Sequence, residues 1–213
     1  MRQAVVLGTG GHCRVVLSLL AAIKTHTVIQ IIELGEPRQG ELIMGKSVTP
    51  AYKNINEFCG RADVDFFLAI GDVNVRKIWW EKLMELGLSM PNLISPHANI
   101  DETADLGQGN VVCAKVFIGP CAKTGNNNLI NTGAILEHEV NIGDHCHLAP
   151  ASVIAGRSQI SDLCFIGAGA TIVDNVSISA GTTVGAGAVV ISNIDQANSV
   201  VVGVPARERG ARK

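Results

Sequence analysis

The chain has 213 residues, 47% of them hydrophobic and 17% charged, with a net charge of −2 when the histidines are neutral. That length admits one or two domains, and the near-balanced charge provides no broad field to draw in nucleic acid or an anionic membrane. Six cysteines at scattered spacings without a C-x-x-C pair, no leader before the first strand and no long apolar run imply a reduced, cytoplasmic protein outside the membrane.

Composition divides the chain. Residues 1–90 hold both tryptophans, the only tyrosine and most of the lysines, whereas 91–213 is rich in Gly, Ala, Val, Ile, Asn and Ser. Two domains with that boundary are expected. In the first, Ala4-Val5-Val6-Leu7 reads as a short buried strand, Gly8-Thr9-Gly10-Gly11-His12 as a loop, and Arg14 to Ile23 as a helix. Val28 to Ile32 reads as a second strand ending at Glu33, and Asp65 to Ile70 as a third ending at Gly71-Asp72. A helix over Val73 to Leu86 follows, carrying Trp79, Trp80, Leu83 and Met84.

Alternating strands and helices predict a small parallel α/β sheet, in which ligands sit beyond the carboxyl ends of the strands. Those ends are Gly8–His12, Glu33 and Gly71. Glycine lets backbone approach a phosphate, and a helix N-terminus offers it free N–H groups. The match to G-x-G-x-x-G is incomplete, because Cys13 stands at the third glycine. A bare strand-to-helix turn would look alike; a nucleotide is the favoured occupant.

From Ile94 to Val190 every sixth residue is aliphatic except Thr124, sixteen hits in seventeen. At this hydrophobic content chance produces such a run about once in ten thousand. A period of six belongs to hexapeptide β-helix repeats, in which three short strands make one triangular coil. Small residues two places earlier, such as Ala98, Ala134, Cys146, Ser158 and Cys164, suit narrow corners, with Asn110 and Asn128 as exceptions. Cys146 and Cys164, one coil apart, should stack inside. Glycine follows the aliphatic at Gly107, Gly119, Gly125, Gly143, Gly167 and Gly185, read here as the tight turn. Solenoids need capped ends. Arg207, Arg209, Arg212 and Lys213 form a short basic tail.

Charged and imidazole side chains are scarce along the repeats, which makes Glu137-His138-Glu139 conspicuous, with His145 and His147 soon after. His138 falls two places past Leu136, where side chains point outward. A carboxylate beside an imidazole orients it and suits it to general-base work. Successive side chains on a strand point apart, so Glu139 orients the ring only if the backbone turns at this corner, and Glu137 is the alternative carboxylate. Hexapeptide-repeat carbonic anhydrases bind zinc through H-x-x-x-x-H; this chain has H-E-V-N-I-G-D-H-C-H, so no metal is expected.

Four stretches together resemble the NeuD/PglD-type sugar O- or N-acetyltransferases nearly end to end. They are G-T-G-G-H at Gly8–His12, L-A-I-G-D-x-x-x-R-K from Leu68, E-H-E at 137–139 with His147 following, and V-G-V-P-A-R at Val202–Arg207. The resemblance implies a Rossmann-like α/β domain followed by a left-handed parallel β-helix, assembled as a homotrimer with active sites between subunits. It implies transfer of acetyl from acetyl-CoA to a nucleotide-activated amino-deoxysugar, UDP-linked by expectation, in surface-glycan or glycoprotein sugar biosynthesis. His138 is then the general base and Glu139 its orienting partner. His147, Ala168 and Ala186 contact acetyl-CoA, and Gly156 is a candidate oxyanion donor. Gly10, Gly11 and His12 hold the diphosphate, with Glu33 and Gly71 as further sugar-nucleotide contacts. UDP-sugar members often carry paired aspartates after the second strand; Glu33-Leu34 stands there in this chain. O-acetylation of a sialic-acid-like sugar remains the alternative, and a non-enzymatic scaffold the more distant one.

Overall fold

In the N-terminal part the residues that are apolar in unbroken runs lie in the middle of a parallel sheet. The computed structural model describes residues 1–35, 40–50 and 55–211, and the chain divides into two units, Met1–Pro96 and His97–Lys213. Unit 1 contains β1 (Arg2–Leu7), α1 (Gly11–Ile23), β2 (His26–Glu33), β3 (Leu42–Ile43), β4 (Lys46–Pro50), β5 (Val64–Leu68) and α2 (Val73–Glu85). The sheet order is β3-β4-β2-β1-β5, parallel throughout except for β3. Strand β1 and the terminal strand β5 are buried over Ala4–Leu7 and all of Val64–Leu68, as strands covered on both faces require.

Three details differ from the sequence expectation. Helix α1 begins at Gly11 rather than Arg14, so Gly11 and His12 form its first turn. Strand β5 stops at Leu68, short of Ile70. The edge hairpin of β3 and β4 was not foreseen, because Met44-Gly45 is a weak turn signal; both residues adopt positive φ, +49° and +77°, as a two-residue hairpin turn demands.

The amino ends of this sheet are tied by Asp65. Its carboxylate accepts from Arg2 Nη2 at 2.7 Å, Ser89 Oγ at 2.6 Å and His26 Nε2 at 2.9 Å, with Arg2 Nε as a further donor. Burial pushes the Asp65 carboxyl up, but the hydrogen bonds from Arg2, Ser89 and His26 outweigh it and hold it down at about 2.

Unit 2 is the left-handed parallel β-helix, its two-residue strands stacking in three sheets. The first runs through Asn99–Ile100, Phe117–Ile118, Ile135–Leu136, Val153–Ile154, Thr171–Ile172 and Val189–Val190. The second runs through Asp105–Leu106, Lys123–Thr124, Asn141–Ile142, Gln159–Ile160 and Ser177–Ile178. The third includes Val111–Val112, Leu129–Ile130, His147–Leu148, Phe165–Ile166 and Thr183–Val184. Each strand pairs with its counterpart in the next coil, as Phe117 with Ile135 and His147 with Phe165. The periodic aliphatics fill the interior and are buried from Val112 to Val190. Thr124 is buried among them, and its hydroxyl finds no partner among the described residues.

The turn lies elsewhere than expected. From Gly109 to Gly187 every sixth residue, three places past the aliphatic, has φ between +54° and +70°, and nine of these fourteen are not glycine. The glycines directly after the aliphatics have ordinary φ and serve close stacking instead. A Cβ on Gly107 would lie 2.6 Å from Gly125 O, and one on Gly167 would lie 2.5 Å from Ala186 N, both in the next coil. Nor are Asn110 and Asn128 exceptions at the small-residue corner. Their Nδ2 groups donate to Gly125 O and Gly143 O in the coil above, and Cys146 and Cys164 Sγ continue the same ladder to Ser161 O and Ser179 O.

An antiparallel hairpin, Ser199–Val202 with Arg207–Ala211, extends the third sheet beyond Thr183–Val184 and covers that end of the stack. Arg207 and Arg209 are exposed on it; Arg212 and Lys213 lie outside the described residues. No helix among the described residues is long and apolar enough to cross a membrane.

Replacing Asp65 with Asn should lower the stability of the N-terminal domain by about 1–2 kcal/mol at neutral pH, the figure allowing for screening of Arg2. The contribution of a depressed carboxyl is complete above its unfolded value of about 4 and is lost as pH falls to about 2. Urea unfolding followed by Trp79 and Trp80 fluorescence should therefore show the gap between variant and wild type closing over that window.

Candidate active site

His138 and Glu139 sit at the corner between the first and second sheets, just after the strand Ile135–Leu136. Glu139 occupies one of the left-handed positions, φ +59°. That turn brings two neighbouring side chains to the same side of the chain, which extended backbone would separate. Glu139 Oε2 lies 3.1 Å from His138 Nδ1. A carboxylate only accepts, so Nδ1 carries the hydrogen and the neutral ring keeps its lone pair on Nε2. No hydrogen bond joins Glu137 to the ring among the described contacts.

Gly156 stands one coil on, under the imidazole. A Cβ there would meet His138 Cε1 at 2.5 Å and Nε2 at 2.6 Å. Its φ is ordinary, so glycine at this place makes room for the ring rather than for a turn. On the same corner Arg157 Nη1 is 4.0 Å from Glu139 Oε2. Both His138 and Glu139 have about half of their side chains exposed, which leaves them open to a second molecule.

The other residues expected to meet the cofactor lie on a different part of the triangle. His147 faces outward on the third sheet, its ring edge-on to Phe165 with centroids 5.0 Å apart. Ala168 and Ala186 sit one coil apart at the corner following that sheet. The fold therefore gathers His138, Glu139 and Gly156 at one corner, and His147, Ala168 and Ala186 around the third sheet, which lies opposite that corner. A groove of about 330 Å³ on the second sheet, lined by Asn141, Gln159, Ser161, Asp162 and Ala180 among others, contains none of the expected residues.

In the N-terminal unit the anticipated residues converge on the carboxyl edge of the sheet. Gly8 has φ +102°, and a Cβ on it would lie 2.8 Å from Ala69 O, so this glycine is required by the strand crossing itself. Gly10, Gly11 and Gly71 differ: a Cβ on each would meet open space, so no packing within the chain demands glycine there. Gly10 caps α1 without a side-chain hydrogen bond, and Cys13 N donates to Gly10 O, so no side chain covers the helix end, where the dipole favours an anion. Cys13, at the third glycine place, is fully buried, and burial pushes its thiol up to about 11; it packs as a small apolar residue.

Glu33 binds the two neighbouring loops together. Its Oε1 accepts from Leu34 N at 2.7 Å and Gly35 N at 3.2 Å, and Oε2 accepts from Thr9 Oγ1. Two residues escaped notice as structural anchors in the sequence. Asp72 caps α2 through Asn74 N and Val75 N, and buried Arg76 donates to Ile70 O at 3.0 Å and Gly71 O at 3.4 Å. The arginine of L-A-I-G-D-x-x-x-R-K thus shapes the Gly71 loop from beneath. The signal was present in the motif, but an arginine in it reads more naturally as a ligand contact.

The family described as the PglD N-terminal domain matches residues 3–83. Among solved structures the chain is similar to a variant of GDP-perosamine N-acetyltransferase from Caulobacter crescentus in complex with CoA and GDP-perosamine. Identity is 32%, coverage 98% of this chain and 97% of that one, and the TM-score 0.88. It is also similar to the acetyltransferase domain of PglB from Neisseria gonorrhoeae in complex with acetyl coenzyme A, at 31% identity, 97% and 98% coverage and a TM-score of 0.87. A variant of the N-acyltransferase AntD from Bacillus cereus, at 21% identity, 62% and 89% coverage and a TM-score of 0.53, shares the fold.

Gly156→Ala tests the nesting of the ring. The nearest obstacle to a new Cβ is the movable His138 side chain, so thermal stability should change little while the imidazole is displaced. A shift of about 1 Å in a reacting group costs on the order of 10²-fold in rate. A crystal structure of the variant should show the rotated ring, and turnover should fall by one to two orders of magnitude.

Proposed function

This chain belongs to the PglD-type family of left-handed β-helix sugar acetyltransferases, and we propose that it transfers acetyl from acetyl-CoA to the amino group of a nucleotide-linked amino-deoxysugar. The observation that carries the reading is the imidazole of His138, held through Nδ1 by Glu139 and nested over Gly156 with Nε2 free to act as a base. His138 takes the proton that the sugar amine loses as its nitrogen bonds to the acetyl carbon. The carbon–sulfur bond breaks, and the proton held by His138 passes to the sulfur, so that CoA leaves as its thiol. No covalent acetyl-enzyme is needed. Glu139 keeps the ring in the productive tautomer, and the backbone N–H of Gly156 is the candidate donor to the carbonyl oxygen as charge develops there.

The first turn of α1, with Gly10, Gly11 and His12, takes the diphosphate, and Gly71 and Glu33 lie at the same sheet edge. UDP is the nucleotide expected from the sequence. The carboxylate of Glu33 is already shared among Thr9, Leu34 and Gly35, and the similar Caulobacter enzyme was captured with a GDP-sugar. The assay therefore runs UDP- and GDP-linked amino sugars side by side with acetyl-CoA, following thiol release. His138→Ala should lower kcat about 10²- to 10⁴-fold with little change in acetyl-CoA binding. A variant with normal turnover would remove His138 from the mechanism. Acetylation of a free sialic-acid-like hydroxyl, with no thermal shift from any nucleotide, would replace N-transfer by O-transfer.

The homotrimer implied by the family resemblance is supported by the placement of the two residue groups. His147 lies on the third sheet and Ala168 and Ala186 at the corner after it, away from the His138 corner, which suits an acetyl-CoA held between adjacent copies. The outward residues agree. The second sheet presents exposed Asp105, Lys123, Asn141, Gln159 and Ser177, whereas the first presents half-buried Phe117, Ile135, Val153 and Val189. Light scattering should give three times the 22.4 kDa chain mass, and a stable monomer at assay concentrations would contradict the arrangement.

A further inference from the structure

Positions 139, 157 and 175 form one column of left-handed corner residues, each one coil above the last, with φ +59°, +62° and +57°. They carry Glu, Arg and Asn. The rungs are locked together by backbone: Glu139 N donates to Pro120 O, Arg157 N to His138 O and Asn175 N to Gly156 O, at 2.9 to 3.0 Å. The side chains follow the same line. Asn175 Oδ1 accepts from Arg157 Nε at 3.2 Å, Arg157 Nη1 stands 4.0 Å from Glu139 Oε2, and Glu139 Oε2 meets His138 Nδ1 at 3.1 Å. Asn175 is itself held, its Nδ2 donating to Asp174 Oδ2 at 2.8 Å.

From this column we infer that Arg157 is a positioning residue for the base, acting on His138 through Glu139. The inference rests on His138 being the base. Glu139 is about half exposed and has no further partner among the described residues, so without Arg157 its carboxylate would sample several rotamers and release Nδ1 for part of the time. The guanidinium confines it. With Nε tied to Asn175, Arg157 offers its remaining nitrogen edge to Oε2, the oxygen that faces the imidazole. The attraction across 4.0 Å at a half-exposed site is modest. Its consequence is which tautomer of the ring prevails, because Nδ1–H is favoured over Nε2–H only while Glu139 stays in place. Arg157 reaches Glu139 from the next coil, and its side chain meets Glu139 and Asn175 rather than the ring.

The test uses Arg157→Met, Arg157→Lys, Glu139→Gln and the double variant in the full-length protein. Arg157→Met should lower kcat about 3- to 10-fold, with KM for acetyl-CoA and for the amino sugar within twofold of wild type and melting unchanged. Lysine, which keeps the charge, should recover most of the loss. In the Glu139→Gln background Arg157→Met should cause no further loss, since residues acting through one another are non-additive. A readout without substrate separates this inference from the proposed reaction. Long-range ¹H–¹⁵N spectra, with the His138 signal identified by its disappearance in His138→Asn, should show the Nδ1–H tautomer in wild type and Arg157→Lys and a mixture with Nε2–H in Arg157→Met. A raised KM for either substrate at constant kcat would make Arg157 a binding residue and overturn the inference. So would multiplicative losses in the double variant, or an unchanged tautomer in Arg157→Met. Full turnover in His138→Ala would sink the mechanism beneath it, whereas the tautomer result would stand or fall independently.

Discussion

The solenoid rests on one repeated contact, the backbone hydrogen bond from each short strand to its counterpart in the next coil. Phe117 N to Ala134 O, Leu129 N to Cys146 O and Lys123 N to Val140 O are instances on the three sheets. Two-residue strands have almost no stability alone, and the left-handed corners oppose it further, since αL costs roughly 1–2 kcal/mol for a residue with a side chain. The non-glycine corner residues are held in place by rungs above and below. The same constraint forbids side chains wherever two coils approach most closely, which accounts for Gly107, Gly125, Gly143 and Gly167.

Chemistry grows out of that register. A spacing of one full coil puts Gly156 against the ring of His138 and Arg157 beside Glu139, so side chains far apart in sequence become a column. The corner conformation makes Glu139, next in the chain to His138, its partner as well. A site built this way is rigid because its scaffold is periodic; changing a single residue leaves the neighbouring rungs to hold the geometry. The N-terminal sheet works on different terms. There Asp65 binds the amino ends of the strands, Arg76 and Glu33 brace the loops at the carboxyl ends, and Gly10, Gly11 and Gly71 leave a surface that no packing within the chain requires.

The sequence carried the fold because its signal was redundant: sixteen aliphatics at one spacing survive a single Thr124. It marked the corner proposed for the chemistry because an imidazole between two carboxylates is rare on a surface of amides and small residues. The edge hairpin at Leu42–Pro50 was illegible, being short and joined by a turn with no strong signature. Arg76 was visible yet open to either meaning, since a motif residue that binds ligand and one that supports the loop from below have the same letter.

Period, interior and outward positions were thus determined by the sequence alone, because burial repeats at every sixth place whatever the neighbours do. Which residue turns each corner was decided only by the tertiary structure. Glycine after the aliphatic suggested the turn, but the turn falls two places later, where stacking between coils compels even Glu139 and Arg157 into the left-handed region. The choice between Glu137 and Glu139 as the companion of His138 hung on that same corner. Strand alternation, the local rule, turns both neighbours away from the ring; the positive φ at 139, imposed by the coils above and below, brings Glu139 to the imidazole.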